Sequence, residues 1–143
     1  MEHKQKYSKL GRLIEDYFES NGLLQGKYFK YFLNGNICEE SFYVQGIKNG
    51  EEKKWYPNGQ LLSEVNYLND KKDGIESIYN ENGGLLSQTS FKNGILEGKC
   101  MCWYENGQLR EEINYANGLK NGEYKHWSEN GQLINHRVCQ HEI

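Results

Sequence analysis

The sequence predicts an all-β protein, an elongated antiparallel β-meander of tandem 24-residue β-hairpins with no central core. Three observations carry the prediction. The first is a strict period: Gly35, Gly59, Gly83, Gly107 and Gly131 follow one another 24 residues apart, with no insertion or deletion. A fixed period of this size marks stacked repeats. The second is the local pattern around each glycine, seen in Trp55-Tyr56-Pro57-Asn58-Gly59-Gln60-Leu61 and again in Trp103-Tyr104-Glu105-Asn106-Gly107-Gln108-Leu109. Two short runs divided by an Asn-Gly turn read as a β-hairpin. The third is composition. Tyr (11 residues) and Gly (16) are abundant while Pro occurs once, which suits turns and short aromatic strands better than helices.

The elements follow in order. Residues 1–25 form a degenerate N-terminal capping repeat. Tyr7, Gly11 and Leu13 stand in register, but Leu10-Gly11 replaces Asn-Gly. The run Leu13–Phe18 reads either as strand or as a helical turn, and terminal repeats commonly cap a stack. Five tandem repeats occupy 26–143, with units at 26–49, 50–73, 74–97, 98–121 and 122–143, each opened by a glycine. The whole forms one domain, with no room for a separate catalytic one.

Pro57 at the first loop position favours a three-residue loop, a type I turn closed by a left-handed glycine. That loop sets Trp55 opposite Leu61, Trp103 opposite Leu109 and Trp127 opposite Leu133. Simple alternation then places Tyr31, Trp55, Tyr79, Trp103 and Trp127 on one face, together with Tyr43, Tyr67, Phe91 and Tyr115. Trp55 and Trp103 are expected to be largely buried. The opposite face carries Tyr28, Phe32, Tyr56, Leu62, Leu86, Tyr104 and Tyr124. So many apolar side chains on a face open to solvent indicate an interaction surface. Phe32, Tyr56, Leu62, Leu86 and Tyr104 are its candidate binding residues.

Several chemistries lack their parts. A kinase needs a phosphate-cradling Gly-rich loop with its Lys, and the glycines here are spread through turns at repeat spacing. Glu40, Glu64 and Glu112 recur at one offset, but equivalent strands stand about 10 Å apart, at or beyond the limit for an inverting carboxylate pair. They read as a solvated acid row beside Lys and Arg. Net charge is −3 with both signs interspersed, which gives no footprint for nucleic acid. Cys100-Met101-Cys102, with His126 one period on, is no standard zinc spacing. Structural cysteines are expected there, with no metal and no cofactor. No apolar run follows the opening residues, so no secretory signal is expected and the four cysteines are read as reduced thiols in a cytoplasmic protein.

At these residues the chain resembles the MORN-repeat variant family. The matching pattern is Gly, four residues, Trp or Tyr, Tyr, any, Asn-Gly, any, Leu, best kept in 50–73 and 98–121. The resemblance implies hairpin repeats and a non-enzymatic role in protein–protein interaction. Bacterial proteins of this family are described as antitoxin-like, so a toxin or a second copy of the chain becomes a candidate partner. MORN repeats also occur fused to phosphatidylinositol phosphate kinases, which makes a peripheral phospholipid-binding module the alternative. Lys48, Lys71, Lys72, Lys92 and Lys120, near the second turn of their units, would supply its basic rim.

Overall fold

The computed structural model describes residues Met1–Ile143. Twelve strands run in chain order across one antiparallel sheet: β1 Glu2–Tyr7, β2 Leu13–Ser20, β3 Leu23–Tyr31, β4 Ile37–Val44, β6 Gly50–Trp55, β7 Leu61–Leu68, β9 Gly74–Tyr79, β10 Leu85–Lys92, β11 Ile95–Trp103, β12 Leu109–Ala116, β13 Leu119–Trp127 and β14 Leu133–Glu142. Two-residue strands β5 (Ile47–Lys48) and β8 (Lys71–Lys72) pair with β4 and β7. The sheet is not closed. Leu13–Phe18, for which a helical turn stood open, lies in β2 and pairs with β1.

The first turn of each unit is the three-residue loop that Pro57 favours. The Tyr56 amide donates to the Gln60 carbonyl at 2.9 Å, and the Gly59 amide donates back to the Tyr56 carbonyl at 3.0 Å. Gly59 has φ 90° and Gly107 φ 87°, the left-handed region where a side chain is strained. Trp55 consequently faces Leu61, Trp103 faces Leu109 and Trp127 faces Leu133. Around the second turn both central residues take positive φ, as in Asn117 (51°) and Gly118 (82°), the conformation of a type I′ hairpin. Asp70 holds φ 68° without being glycine; its carboxylate accepts from the Lys48 amide at 2.8 Å.

One feature of the register corrects the sequence reading. Trp55 pairs with Leu61, but Lys54 pairs with Ser63, so Leu62 is the extra residue of a bulge. An extra residue reverses the alternation beyond it. Val65 therefore faces Glu52, and Tyr67 faces Gly50, on the side of the sheet opposite Trp55. Tyr43, Tyr67, Phe91 and Tyr115 thus leave the tryptophan face and join Tyr28 and Tyr124. The Tyr28 and Tyr43 rings meet edge to face, 5.9 Å between centroids.

No central core forms. Only 8 of 143 residues are buried, so each strand is covered by its neighbours and not by a second layer. Tyr17, Ser41, Val65 and Ile113, at one offset of the repeat, are four of those eight. Trp55 and Trp103 are half-buried, less than the sequence suggested, because a single sheet covers one side of each ring.

Candidate functional site

The five candidate binding residues fall at two places in the repeat. Phe32, Tyr56 and Tyr104 begin the first turn, immediately after the aromatic that ends a strand. Leu62 and Leu86 are the unpaired residues of the bulge. All five are half-buried. Leu86 and Tyr104 come together: with Trp103, Asn106, Arg110 and Glu129 they line an open depression of about 490 Å³. The Arg110 guanidinium lies 5.9 Å from the centre of the Tyr104 ring. Phe32, Tyr56 and Leu62 occupy matching offsets in earlier units.

The tyrosine hydroxyls are also engaged in the stack. Tyr56 donates to the Tyr79 carbonyl at 2.7 Å, and Tyr104 to the Trp127 carbonyl at 2.7 Å. Each bond joins one hairpin to the next. Phe32 has no hydroxyl and makes no such bond. The turn asparagines run parallel to this ladder: Asn34 donates to the Pro57 carbonyl at 2.9 Å, Asn58 to Glu81 at 3.1 Å and Asn106 to Glu129 at 2.9 Å. Their Oδ1 atoms close their own turns, as in the 2.9 Å bond from the Gln60 amide to Asn58. Asparagine offers a donor and an acceptor at once, where aspartate offers acceptors alone.

Between the turns, the side of the sheet opposite Trp55 carries charge packed among aromatics. Lys48 pairs with Glu52, which is 5% exposed, and its Nζ sits 4.8 Å from the centre of the Tyr67 ring and 5.9 Å from that of Tyr43. One unit later Lys72 lies 2.8 Å from Glu76 and 5.2 Å from the Phe91 ring centre. Burial opposes the charge on Lys48, but the Glu52 carboxylate outweighs it and holds the ammonium above its ordinary range. The recurrence of Lys and Glu four apart at 48/52 and 72/76 was a signal in the sequence that went unread. Arg110 and Glu129 were missed as well, since nothing in a linear pattern brings a bulge residue of one unit to a turn residue of the next.

The acid row is occupied by its neighbours. Glu40 lies 3.5 Å from Lys27, Glu112 3.0 Å from Lys99, and Glu64 accepts from the Tyr79 hydroxyl at 3.1 Å. Cys100 and Cys102 stand on the Val65 side of β11, opposite Ile113 and Glu111. A hydrogen bond from Cys102 holds the Cys100 thiol down to about 6, while the same bond and burial push Cys102 up. No cluster of three or more His, Cys, Asp or Glu side chains is arranged to hold a metal ion.

A family model described as MORN repeat variant matches residues 24–45, 48–69, 72–93, 96–117 and 120–136. A comparison with curated proteins finds no match.

Proposed function

The chain belongs to the MORN repeat variant family, whose repeats serve as modules for protein or lipid interaction, and on that premise we propose that it is a non-enzymatic protein-binding module. The observation that carries this reading is the depression where Leu86, Trp103 and Tyr104 stand beside Arg110 and Glu129. Aromatic and arginine side chains are the strongest anchors in protein interfaces. Here three apolar side chains are bordered by one guanidinium, Arg110, and two carboxylates, Glu105 and Glu129. The antitoxin-like members of the family make a toxin the first partner to seek, with a second copy of the chain next.

The lipid alternative rests on the basic rim. Lys48 and Lys72 are paired with Glu52 and Glu76. Two of the five rim lysines therefore contribute little net charge, which favours the protein partner.

The test is capture of partners from the native cell with wild-type protein and with Leu86→Ser combined with Arg110→Glu. Loss of one specific protein partner, with β-sheet circular dichroism unchanged, supports the reading. Loss of binding after charge reversal at Lys71, Lys92 and Lys120, but not after the Leu86 and Arg110 changes, favours a lipid surface instead. Metal-dependent phosphoinositide phosphorylation surviving rigorous purification would overturn the non-enzymatic proposal.

A further inference from the structure

Cys100 and Cys102 flank Met101 in β11, so both thiols leave the strand on the same face. Both are free and half-buried, which leaves them within reach of small solutes. Thr89, across the sheet from Cys100, brings its Oγ1 to 3.4 Å from Sγ. Ser87 and Glu111 flank Cys102, and the Arg110 charge favours its thiolate.

Strand geometry decides what such a pair can do. A rise of about 3.3–3.4 Å per residue places the two α-carbons roughly 6.7 Å apart. Disulfides span about 4.4–6.8 Å between α-carbons and need β-carbons about 3.8 Å apart. Side chains standing parallel on one strand hold their β-carbons farther apart than that, so a direct S–S bond requires the strand to buckle. An ion between the sulfurs removes the difficulty. Two metal–sulfur bonds of about 2.3 Å span roughly 4.6 Å, which two thiols reach by leaning toward each other. No group of three or more His, Cys, Asp or Glu side chains is arranged to hold a metal, so the pair suits an ion content with two ligands. Thiolates select soft ions.

We propose that Cys100 and Cys102 form a bis-thiolate site for a soft monovalent metal ion of the Cu(I) class. One ion and two thiols give the bis-thiolate complex and release two protons to solvent. No electron moves. The complex carries one negative charge, which Arg110 offsets, and the Thr89 hydroxyl donates to the Cys100 sulfur.

The test titrates the reduced, full-length chain with Cu(I) against a chromophoric Cu(I) chelator under anaerobic conditions. One ion should bind per chain. Cys100→Ser and Cys102→Ser should each weaken binding roughly 100-fold or more, since losing a ligand costs more than losing its outer partner. The Cys38→Ser, Cys139→Ser double variant should bind as the wild type does. In the unmutated protein Cu(I) should protect Cys100 and Cys102, but not Cys38, from alkylation read by mass spectrometry; this arm does not depend on any variant folding. Binding that survives loss of either thiol, or an absence of selective protection, would overturn the proposal. So would zinc binding tighter than Cu(I) at the same pair. Ready formation of a Cys100–Cys102 disulfide by oxidised glutathione, with the melting temperature unchanged, would also sink it by showing that the strand admits the direct bond.

Discussion

The hydroxyl of Tyr104 donates to the backbone carbonyl of Trp127, 2.7 Å away and 23 residues further along the chain. With the Asn106 to Glu129 bond beside it, this contact fastens one hairpin to the next along the rim of the first turns. Tyr104 thus has two roles, since its ring lines the depression proposed to bind a partner. Tyr104→Phe separates them. It should cost about 0.5–1.5 kcal/mol of stability, the worth of an ordinary hydrogen bond, and leave partner capture intact. Chemical denaturation checks the first expectation and the pull-down the second.

Gly107→Ala isolates backbone strain. Glycine here has φ 87°, and an added Cβ would meet nothing within 4 Å. The expected loss is about 1 kcal/mol or somewhat more, all of it conformational. Gly107→Asn should cost less, because asparagine tolerates the left-handed region. Equal melting temperatures for wild type and the alanine variant would contradict the turn geometry.

Trp103→Ala should cost less than the about 3–5 kcal/mol of a fully buried ring, since this one is half-buried. In a stack where each hairpin leans only on its neighbours, the damage should be local. Hydrogen exchange should show β11 and β12 fraying before β2 and β3. Uniform acceleration across the sheet would instead indicate one cooperative unit.

Lys48→Met leaves the Glu52 carboxylate nearly enclosed, with Lys54 at 3.9 Å as its remaining cation. Breaking a buried pair from one side costs about 3–5 kcal/mol, an upper bound here because the Lys48 side chain is 19% exposed. Adding Glu52→Gln should recover much of the loss, which a double-mutant cycle measures. The raised pKa also sets a direction in pH. Stability from charged Lys48 is fully present below the ordinary lysine value of 10.5 and is lost as pH rises through the higher folded value. The Lys48→Met, Glu52→Gln variant should lack that alkaline component.

Glu15 supplies the acid counterpart. The Tyr28 hydroxyl, 2.6 Å away, holds this carboxyl below its ordinary value of 4.5, with help from Lys6. A depressed carboxyl contributes stability above its unfolded value and loses it as pH falls through the folded one. Glu15→Gln should therefore be less stable at neutral pH, and its stability should fall less steeply below about pH 4.5. Parallel acid limbs for the two proteins would refute the assignment.

The sequence by itself determined the period, the hairpins and the first turn. Asn58-Gly59 after Pro57 favours the three-residue loop, since proline presets the first φ and glycine takes the last without strain. These are local properties of the backbone, so a linear string carries them. Of the candidate surface, the residue types were legible: aromatics beginning the first turn, and apolar side chains at Leu62 and Leu86. Their grouping was not.

Tertiary structure decided the faces. The bulge at Leu62 adds one residue to one strand of the pair, and period-two alternation cannot register an insertion until the partner strand is in place. That single residue carries Tyr67 away from Trp55 and sets it against Lys48. Only the stacking of one hairpin on the next brings Leu86 to Tyr104 and Arg110 to Glu129. It also converts the turn asparagines from local turn formers into links between units. A repeat specifies its own hairpin from within, but its side chains find their partners only in the neighbouring copy, where twist and register set the distance.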